Sequence, residues 1–359
     1  MSAHAEVAAA AAAVTRALPM ASGIYALPWY LLLGEPGAGR TTVIRSMNLS
    51  WPAGEGPHRL GLPQQLASWW ISGEAVLIEP DPPLVGHGAD RNALRSFAEA
   101  LRSLRPREPI DGVLLVIGVS QIIDLDERGL EAFANVLRGQ LAAMAQGVRA
   151  DVPVYVLITR YDTVWGFAEV FQWTPERRRE EPWGFLLPGD TTSKLAQPRI
   201  VEQLDGLGAR FEAFCLAKLS SDDPPDHRAR AFQHLAEVRE LIAKLKALMA
   251  TLAMESSFER APWIRALAVG SALPGAGDRP RASAARFANM GLFPPPPTPP
   301  ARPGGLPLHG YLKDVVLPER ELVPLRARWR DKKSIVIPFV IGLVLWLAAA
   351  VTGLVLALS

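Results

Sequence analysis

The sequence carries a single cysteine, Cys215, in 359 residues. One thiol excludes intrachain disulfides and all-cysteine metal sites, and it fits a reducing compartment. Charge of one sign is also missing: 38 Lys and Arg stand against 36 Asp and Glu, a net charge of +2. Bulk electrostatics therefore argue against a nucleic-acid partner. The six histidines, His4, His58, His87, His227, His234 and His309, show no metal-ligand spacing. His227 and His234 fall on a predicted helix and read as surface or packing residues. No threonine occurs from residue 43 to 158, and no internal repeat is found. The amino-terminal stretch "MSAHAEVAAAAAAVTRALP" lacks the Lys or Arg of a signal-peptide n-region, so a short helix or arm is expected there instead.

What is present is a series of compact apolar runs. "WYLLLG" (29–34), "EAVLIEP" (74–80), "DGVLLVIGVS" (111–120), "VPVYVLITRYD" (152–162) and "IRALAVGSA" (264–272) read as strands. Continuous apolar runs suit strands covered on both faces. Helical stretches at 90–104 and 126–147 alternate with them, which predicts a parallel α/β sheet. Residues 200–257 break the alternation. There "RAFQHLAEVRELIAKLKALMATL" sets Phe232, Leu235, Val238, Leu241, Leu245, Leu248 and Leu252 at three- and four-residue steps, an amphipathic helix packed beside the sheet. "FPPPPTPPARPGG" (293–305) is a polyproline-type spacer.

The long hydrophobic run comes last. Residues 335–358, "IVIPFVIGLVLWLAAAVTGLVLAL", are apolar apart from Thr352. At about 1.5 Å per residue they reach about 36 Å, enough to cross a hydrocarbon core of about 30 Å. Arg326, Arg328, Arg330, Lys332 and Lys333 precede the run. Positive flanks stay in the cytoplasm. The expectation is a single-pass carboxy-terminal anchor with the main domain cytoplasmic and no domain on the far side.

The stretch with chemistry in it is "YLLLGEPGAGRTT" (30–42). A phosphate loop aims successive backbone N–H groups at phosphates, between a strand and a helix N-terminus. Gly34, Gly37 and Gly39 allow that approach, Thr41 stands where a hydroxyl would hold Mg²⁺, and Thr42 follows it. Arg40 replaces the usual Lys, and a planar fork is not a compact point charge. After the second strand, "EPDP" places Glu79 where the metal-linked Asp is expected and Pro82 where a Gly would donate to a γ-phosphate. Pro has no N–H to donate. "TRYD" places Asp162 to hold a base edge, with Arg160 again in place of Lys. The reading is a G-protein-like phosphate-loop fold with several catalytic parts altered together. No catalytic residue is assigned. ATP or GTP with Mg²⁺ binds weakly or not at all, and a purely structural glycine loop is the competing reading.

These segments, in order, resemble the cytoplasmic domain of the IcmF/TssM family of type VI secretion inner-membrane proteins. "LPWYLLLGEPGAGRTT", "SWWISGEAVLIEP", "LRPREPIDGVLLVIGV", "ITRYDTVWGFAEVF", "EEPWGFLLP" and "HGYLKDVVLPERELV" carry the likeness over about residues 25–325. By that likeness Gln64 stands where the family often has its switch Thr, and Glu79, Pro80, Asp81 and Pro82 replace D-T-A-G. The resemblance implies an assembly role in the bacterial inner membrane, with a DotU/TssL-like membrane protein and baseplate components as partners and oligomerisation in the assembly. Two family parts, a transmembrane pair before residue 25 and a large periplasmic region after 359, have no counterpart in the sequence.

The expected organisation is an arm at 1–24, the phosphate-loop domain at 25–199, a helical subdomain at 200–260 and a return strand and loop at 261–292. A Pro-rich linker (293–307), a basic juxtamembrane segment (308–333) and a transmembrane anchor (334–359) follow. The fold class is α/β: a G-protein-like parallel sheet, an added helical subdomain and a carboxy-terminal transmembrane helix. The function expected is a membrane-anchored scaffold of the secretion complex; the alternative is a tail-anchored ATP- or GTP-binding switch.

Overall fold

In a computed structural model the apolar runs become the inner strands of one sheet. The structure describes residues 3–17, 23–52, 54–171, 183–189, 191, 193–220, 222, 224–255, 261–271, 308–321 and 341. Among the described residues seven strands form the sheet: β1 (Trp29–Leu33), β2 (Ala67–Ile71), β3 (Val76–Pro80), β4 (Gly112–Gly118), β5 (Pro153–Thr159), β6 (Trp183–Leu186) and β7 (Trp263–Val269). Their order is β2-β3-β1-β4-β5-β7-β6. The five inner strands are parallel, while β2 and β6 run antiparallel at the two edges. The chain leaves β1 toward β3 on one side, then crosses back to β4 on the other. Loops after β1 and β4 therefore diverge, which opens a crevice at the carboxyl ends of the strands.

Strand periodicity sorts the core into two layers. Trp29, Leu31, Val113, Leu115, Val154 and Val156 face one layer. It is covered by α1 (Ala3–Ala17), α3 (Arg91–Leu104), α5 (Glu127–Val148), α6 (Phe167–Phe171), α7 (Ser193–Leu219) and α8 (Pro225–Leu252). Tyr30, Leu32, Leu114, Val116, Tyr155 and Leu157 face the other layer. That face holds α2 (Arg40–Ser46) and a closing helical segment running from His309 to Glu321. A single turn, α4 (Val119–Ile122), follows β4.

The helical region is a pair, α7 and α8, with Pro225 in the first turn of α8. The Lys244 ammonium donates to the Ile123 and Leu125 carbonyls, 2.7 and 2.5 Å away, and ties α8 to the turn before α5. Leu235, Val238, Leu241, Leu245, Leu248 and Leu252 are buried as the stripe requires, but Phe232 is 58 % exposed. At that end of α8 the buried positions are instead Arg230, Ala231, Gln233 and His234, so the apolar stripe turns away from the core there.

The closing segment occupies part of the stretch expected as basic and juxtamembrane, and it is stitched to the sheet. Glu319 accepts from the Tyr155 hydroxyl (3.1 Å) and from Arg265 Nε (3.0 Å). Arg320 donates to the Tyr25 carbonyl at 2.6 Å. The chain divides into a body, Met1–Arg320, and a second unit, Glu321–Ser359. Only Glu321 and Ile341 of that second unit are described. Apart from Ile341, the anchor at 334–359 lies outside the described residues, as does the linker at 293–307. Among the described residues no helix is long and apolar enough to cross a membrane.

Below the sheet, Arg105 is fully buried. Its guanidinium lies 4.7 Å over the Trp29 ring and 3.3 Å from Asp111 Oδ2, which also accepts from the Trp29 N–H at 2.7 Å. The arm is equally specific. Glu6 of α1 is buried and accepts from the Leu66 N–H (2.6 Å), the Ala67 N–H (3.0 Å) and Trp69 Nε1 (3.0 Å). It thus occupies donors at the start of the edge strand β2.

Two predictions follow from these buried groups. Glu6→Ala strands three donors and lowers the unfolding free energy by about 2–4 kcal/mol in urea titrations; an unchanged midpoint would refute the cap. The second concerns His234, whose Nδ1–H donates to the Trp165 carbonyl (2.7 Å) while Nε2 accepts from the Tyr161 hydroxyl (2.9 Å). Burial pushes its pKa down to about 4, below the usual 6.5. The unfolded chain therefore binds the extra proton, and this contribution to stability is lost as pH falls from 6.5 toward 4. The slope is at most about 1.4 kcal/mol per pH unit. His234→Gln should flatten it in denaturation series across that window.

Candidate functional site

The loop after β1 begins where a side chain has no space. Gly34 has φ +141°, and a Cβ there would sit 2.1 Å from the Val116 carbonyl oxygen of β4. Gly37 (φ +83°) faces open space. Gly39 (φ +88°) is the N-cap of α2 in the left-handed region. Neighbouring groups then hold the loop from outside. The Thr159 hydroxyl donates to the Ala38 carbonyl at 2.5 Å, and Gln121 Nε2 donates to the Pro36 carbonyl at 3.1 Å. Glu35 Oε2 accepts from the His87 N–H at 2.8 Å.

The residues predicted for the site gather at the carboxyl ends of the strands, in two groups. Toward β3, Arg40 is buried and its Nη1 donates to the Pro80 carbonyl at 2.8 Å, with Nε 3.9 Å from Glu79. The Thr41 hydroxyl donates to Glu79 Oε1 at 2.8 Å, and Trp70 Nε1 reaches Glu79 Oε2 at 3.3 Å. Burial raises the pKa of the neighbouring Asp81, and the Glu6 and Glu79 carboxylates raise it further. Pro82 and Gln64 are exposed. Among the described residues no group of three His, Cys, Asp or Glu is placed to hold a metal ion.

Toward β5, a cavity of about 200 Å³ is lined by Gly39, Thr42, Thr159, Arg160, Asp162 and Gly270, with Leu308 of the closing segment as an apolar wall. Asp162 is buried and its Oδ1 accepts from the Ser271 hydroxyl at 2.6 Å. Burial raises its pKa, and the Ser271 bond opposes that shift. Arg160 has φ 57° and is exposed at the rim. Small-molecule sites usually span about 300–1,000 Å³, so this cavity has room for a base or a sugar but not a whole nucleotide.

Fit to a nucleotide is thus divided. Gly37 leaves room for a phosphate, and Asp162 stands at the cavity where a base edge would lie. Arg40, Thr41 and Glu79 are instead bonded among themselves and to Pro80. Sequence reasoning did not single out Thr159, Ser271, Gln121 or Glu35. Thr159 and Ser271 lie inside the quoted "TRYD" and "IRALAVGSA" stretches and Glu35 inside the phosphate-loop stretch, while Gln121 carries no motif signal.

Two alanine substitutions separate a structural glycine from a phosphate-facing one. Gly34→Ala should cost about 3–5 kcal/mol of stability, since backbone meets it on the sheet side. Gly37→Ala, strained only in φ, should cost about 1–2 kcal/mol. Equal costs in parallel denaturation curves would contradict this geometry.

Comparison with known proteins adds the following. The family described as the IcmF-related N-terminal domain matches residues 87–343. A curated relative, the type VI secretion system component TssM1 of Pseudomonas aeruginosa, is 27 % identical over 234 residues, covering 62 % of this chain and 21 % of the relative. The chain therefore spans about a fifth of that relative's length. Among solved structures, a GTP-binding protein from the hyperthermophilic archaeon Sulfolobus solfataricus in complex with GDP is 16 % identical. It covers 38 % of this chain and 36 % of its own, with a TM-score of 0.22. A mutation variant of SsGBP is 15 % identical, with 38 % of each chain covered and the same TM-score, 0.22. Likenesses with so low a TM-score carry no argument.

Proposed function

We propose a function for this chain from a plain premise: it belongs to the IcmF-related N-terminal domain family. The chain is a structural component of a type VI secretion membrane complex, held at the bacterial inner membrane through 334–359 with its body in the cytoplasm. Its work is contact with other components, a DotU/TssL-like membrane protein and the baseplate. The relative's printed role and the ordered sequence motifs support this reading. So do Leu195, Leu216 and Phe232, large apolar side chains exposed on α7 and α8. In this reading the phosphate loop is kept as a fold element.

One observation carries the nucleotide part: Arg40 is buried against the Pro80 carbonyl at 2.8 Å. A cation that belongs between phosphates is already hydrogen-bonded inside the protein, so a nucleotide must break that bond before gaining from the charge. Calorimetry on the full chain with ATP or GTP plus Mg²⁺ should give no saturable heat at about 1 mM ligand. Arg40→Lys should raise nucleotide affinity at least about tenfold, since Lys supplies a compact charge.

The second reading, a tail-anchored switch, draws on the 200 Å³ cavity beside Asp162. Micromolar binding by the unaltered chain, lost in Asp162→Ala, would favour it and sink the first. For the scaffold itself, capture from native membranes should recover a DotU/TssL-like protein or baseplate components, and Phe232→Ser with Leu216→Ser should weaken that recovery. Recovering neither from the unaltered chain would count against the reading.

A further inference from the structure

A second cavity, of about 180 Å³, lies between the loop after β3 and the helices α3 and α5. Leu84, Leu94 and Val136 form apolar walls, and Gly86, Gly88 and Ala89 line it from the loop. Two polar residues complete the lining. Gln140 of α5 is 3 % exposed, and neither its Oε1 nor its Nε2 has a hydrogen-bond partner among the described residues. A buried carboxamide with both ends unmet is costly, about 1–3 kcal/mol per group. Packing does not call for an amide there; Leu would fill the same space.

Arg91 is the other. It opens α3, a 14-residue helix with no acidic residue in its first turn. A cation at that end faces the positive pole of the helix dipole. Arg91 is an exposed residue at the rim, and its guanidinium lies over α5, where a Cβ on Gly139 would fall 2.2 Å from its Cζ. Among the described residues it has no ion pair. The nearby charged or titratable groups are otherwise engaged or outside the lining. Asp90 caps the Asn92 N–H at 2.8 Å; Glu35, behind Gly86, accepts from the His87 N–H through Oε2, while its buried Oε1 has no partner among the described residues. The His87 side chain is exposed.

We propose that this cavity binds a carboxylate carried on a compact, branched apolar body. The Arg91 guanidinium meets the negative charge and reverses its own unfavourable placement on α3. Gln140 Nε2 donates to a carboxylate oxygen, and Leu84, Leu94 and Val136 enclose the apolar part. The volume limits the occupant to a small acid or to one apolar residue at a free chain end. This inference stands apart from the proposed function, since neither nucleotide nor secretion partner enters it.

The test uses the full chain in detergent and ligand-observed NMR with isovalerate, its neutral isostere isovaleramide, and isobutylamine. Isovalerate should bind saturably in the millimolar range, as fits about seven heavy atoms. Isovaleramide should bind at least about tenfold more weakly, and isobutylamine not at all, given the guanidinium. Arg91→Gln should bring isovalerate down to the level of the amide. Gln140→Leu should weaken isovalerate at least about fivefold while leaving the unfolding midpoint equal or higher. A leucine-terminated tripeptide with a free carboxylate, compared with its amidated form, identifies the source. Tighter binding than isovalerate assigns the site to a chain end; equal or weaker binding assigns it to a free acid. Equal affinity for isovalerate and isovaleramide, indifference to both substitutions, or no saturable binding of isovalerate would each overturn the proposal.

Discussion

Gly34 is where β1 stops being a strand, and the Val116 carbonyl leaves it no room for a side chain. Everything at the carboxyl end of the sheet depends on that close approach. It turns the backbone out of the central strand, brings Gly39 under Thr159 and starts α2 against the second core layer. The glycine is required by the pairing of β1 with β4, whether or not a phosphate ever arrives. A glycine-loop pattern therefore carries less functional information than its spacing suggests. The groups that distinguish a cradle from a turn are Arg40, Thr41 and Glu79, and their orientation is a tertiary property.

That division explains what was legible in the sequence. The five inner strands could be read because a strand buried on both faces needs an unbroken apolar run, and "DGVLLVIGVS" or "VPVYVLIT" has little other use. Helices at 90–104 and 126–147 were legible to within a residue or two, aided by Asp90 and Asp126 as N-caps. The edge strands β2 and β6 were not assigned. Each is four or five residues long, pairs with one strand of the sheet only, and mixes Trp with Gly, Ser or Ala. The helical region resolved into two helices rather than one stripe, since the end of α8 buries His234 and Arg230 where periodicity placed Phe232. Nothing in the local sequence signals that Glu6 will cap a strand sixty residues away, or that Gln140 will be left unpaired.

The opposite pole of the sheet is fixed by different chemistry. A buried guanidinium such as Arg105 carries a large desolvation cost. Here Asp111, the Trp29 and Tyr25 rings and nearby carbonyls surround it. Asp111 in turn orders the start of β1 through the Trp29 N–H, and Arg320 lies 3.8 Å from its other oxygen. The body of the chain thus ends at the amino ends of β1 and β4, away from the cradle. The closing segment reaches from one pole to the other, with Leu308 at the cavity beside Asp162 and Arg320 at this ionic cluster.

A nucleotide switch needs two arrangements whose contacts with the ligand differ by several kcal/mol. At this site the polar groups that would supply the difference already have partners. Arg40 is bonded to Pro80, Thr41 to Glu79, Glu35 to the His87 N–H, and Thr159 to Ala38. A ligand would exchange those bonds for its own, and only the surplus could bias the loop. Pro82 has no N–H to offer a ligand, and the loop after β1 meets the 84–91 loop through Glu35 and the His87 N–H, a bond already made. Such a site favours a single arrangement. For a part whose proposed work is to hold surfaces in fixed register, one arrangement is the useful property.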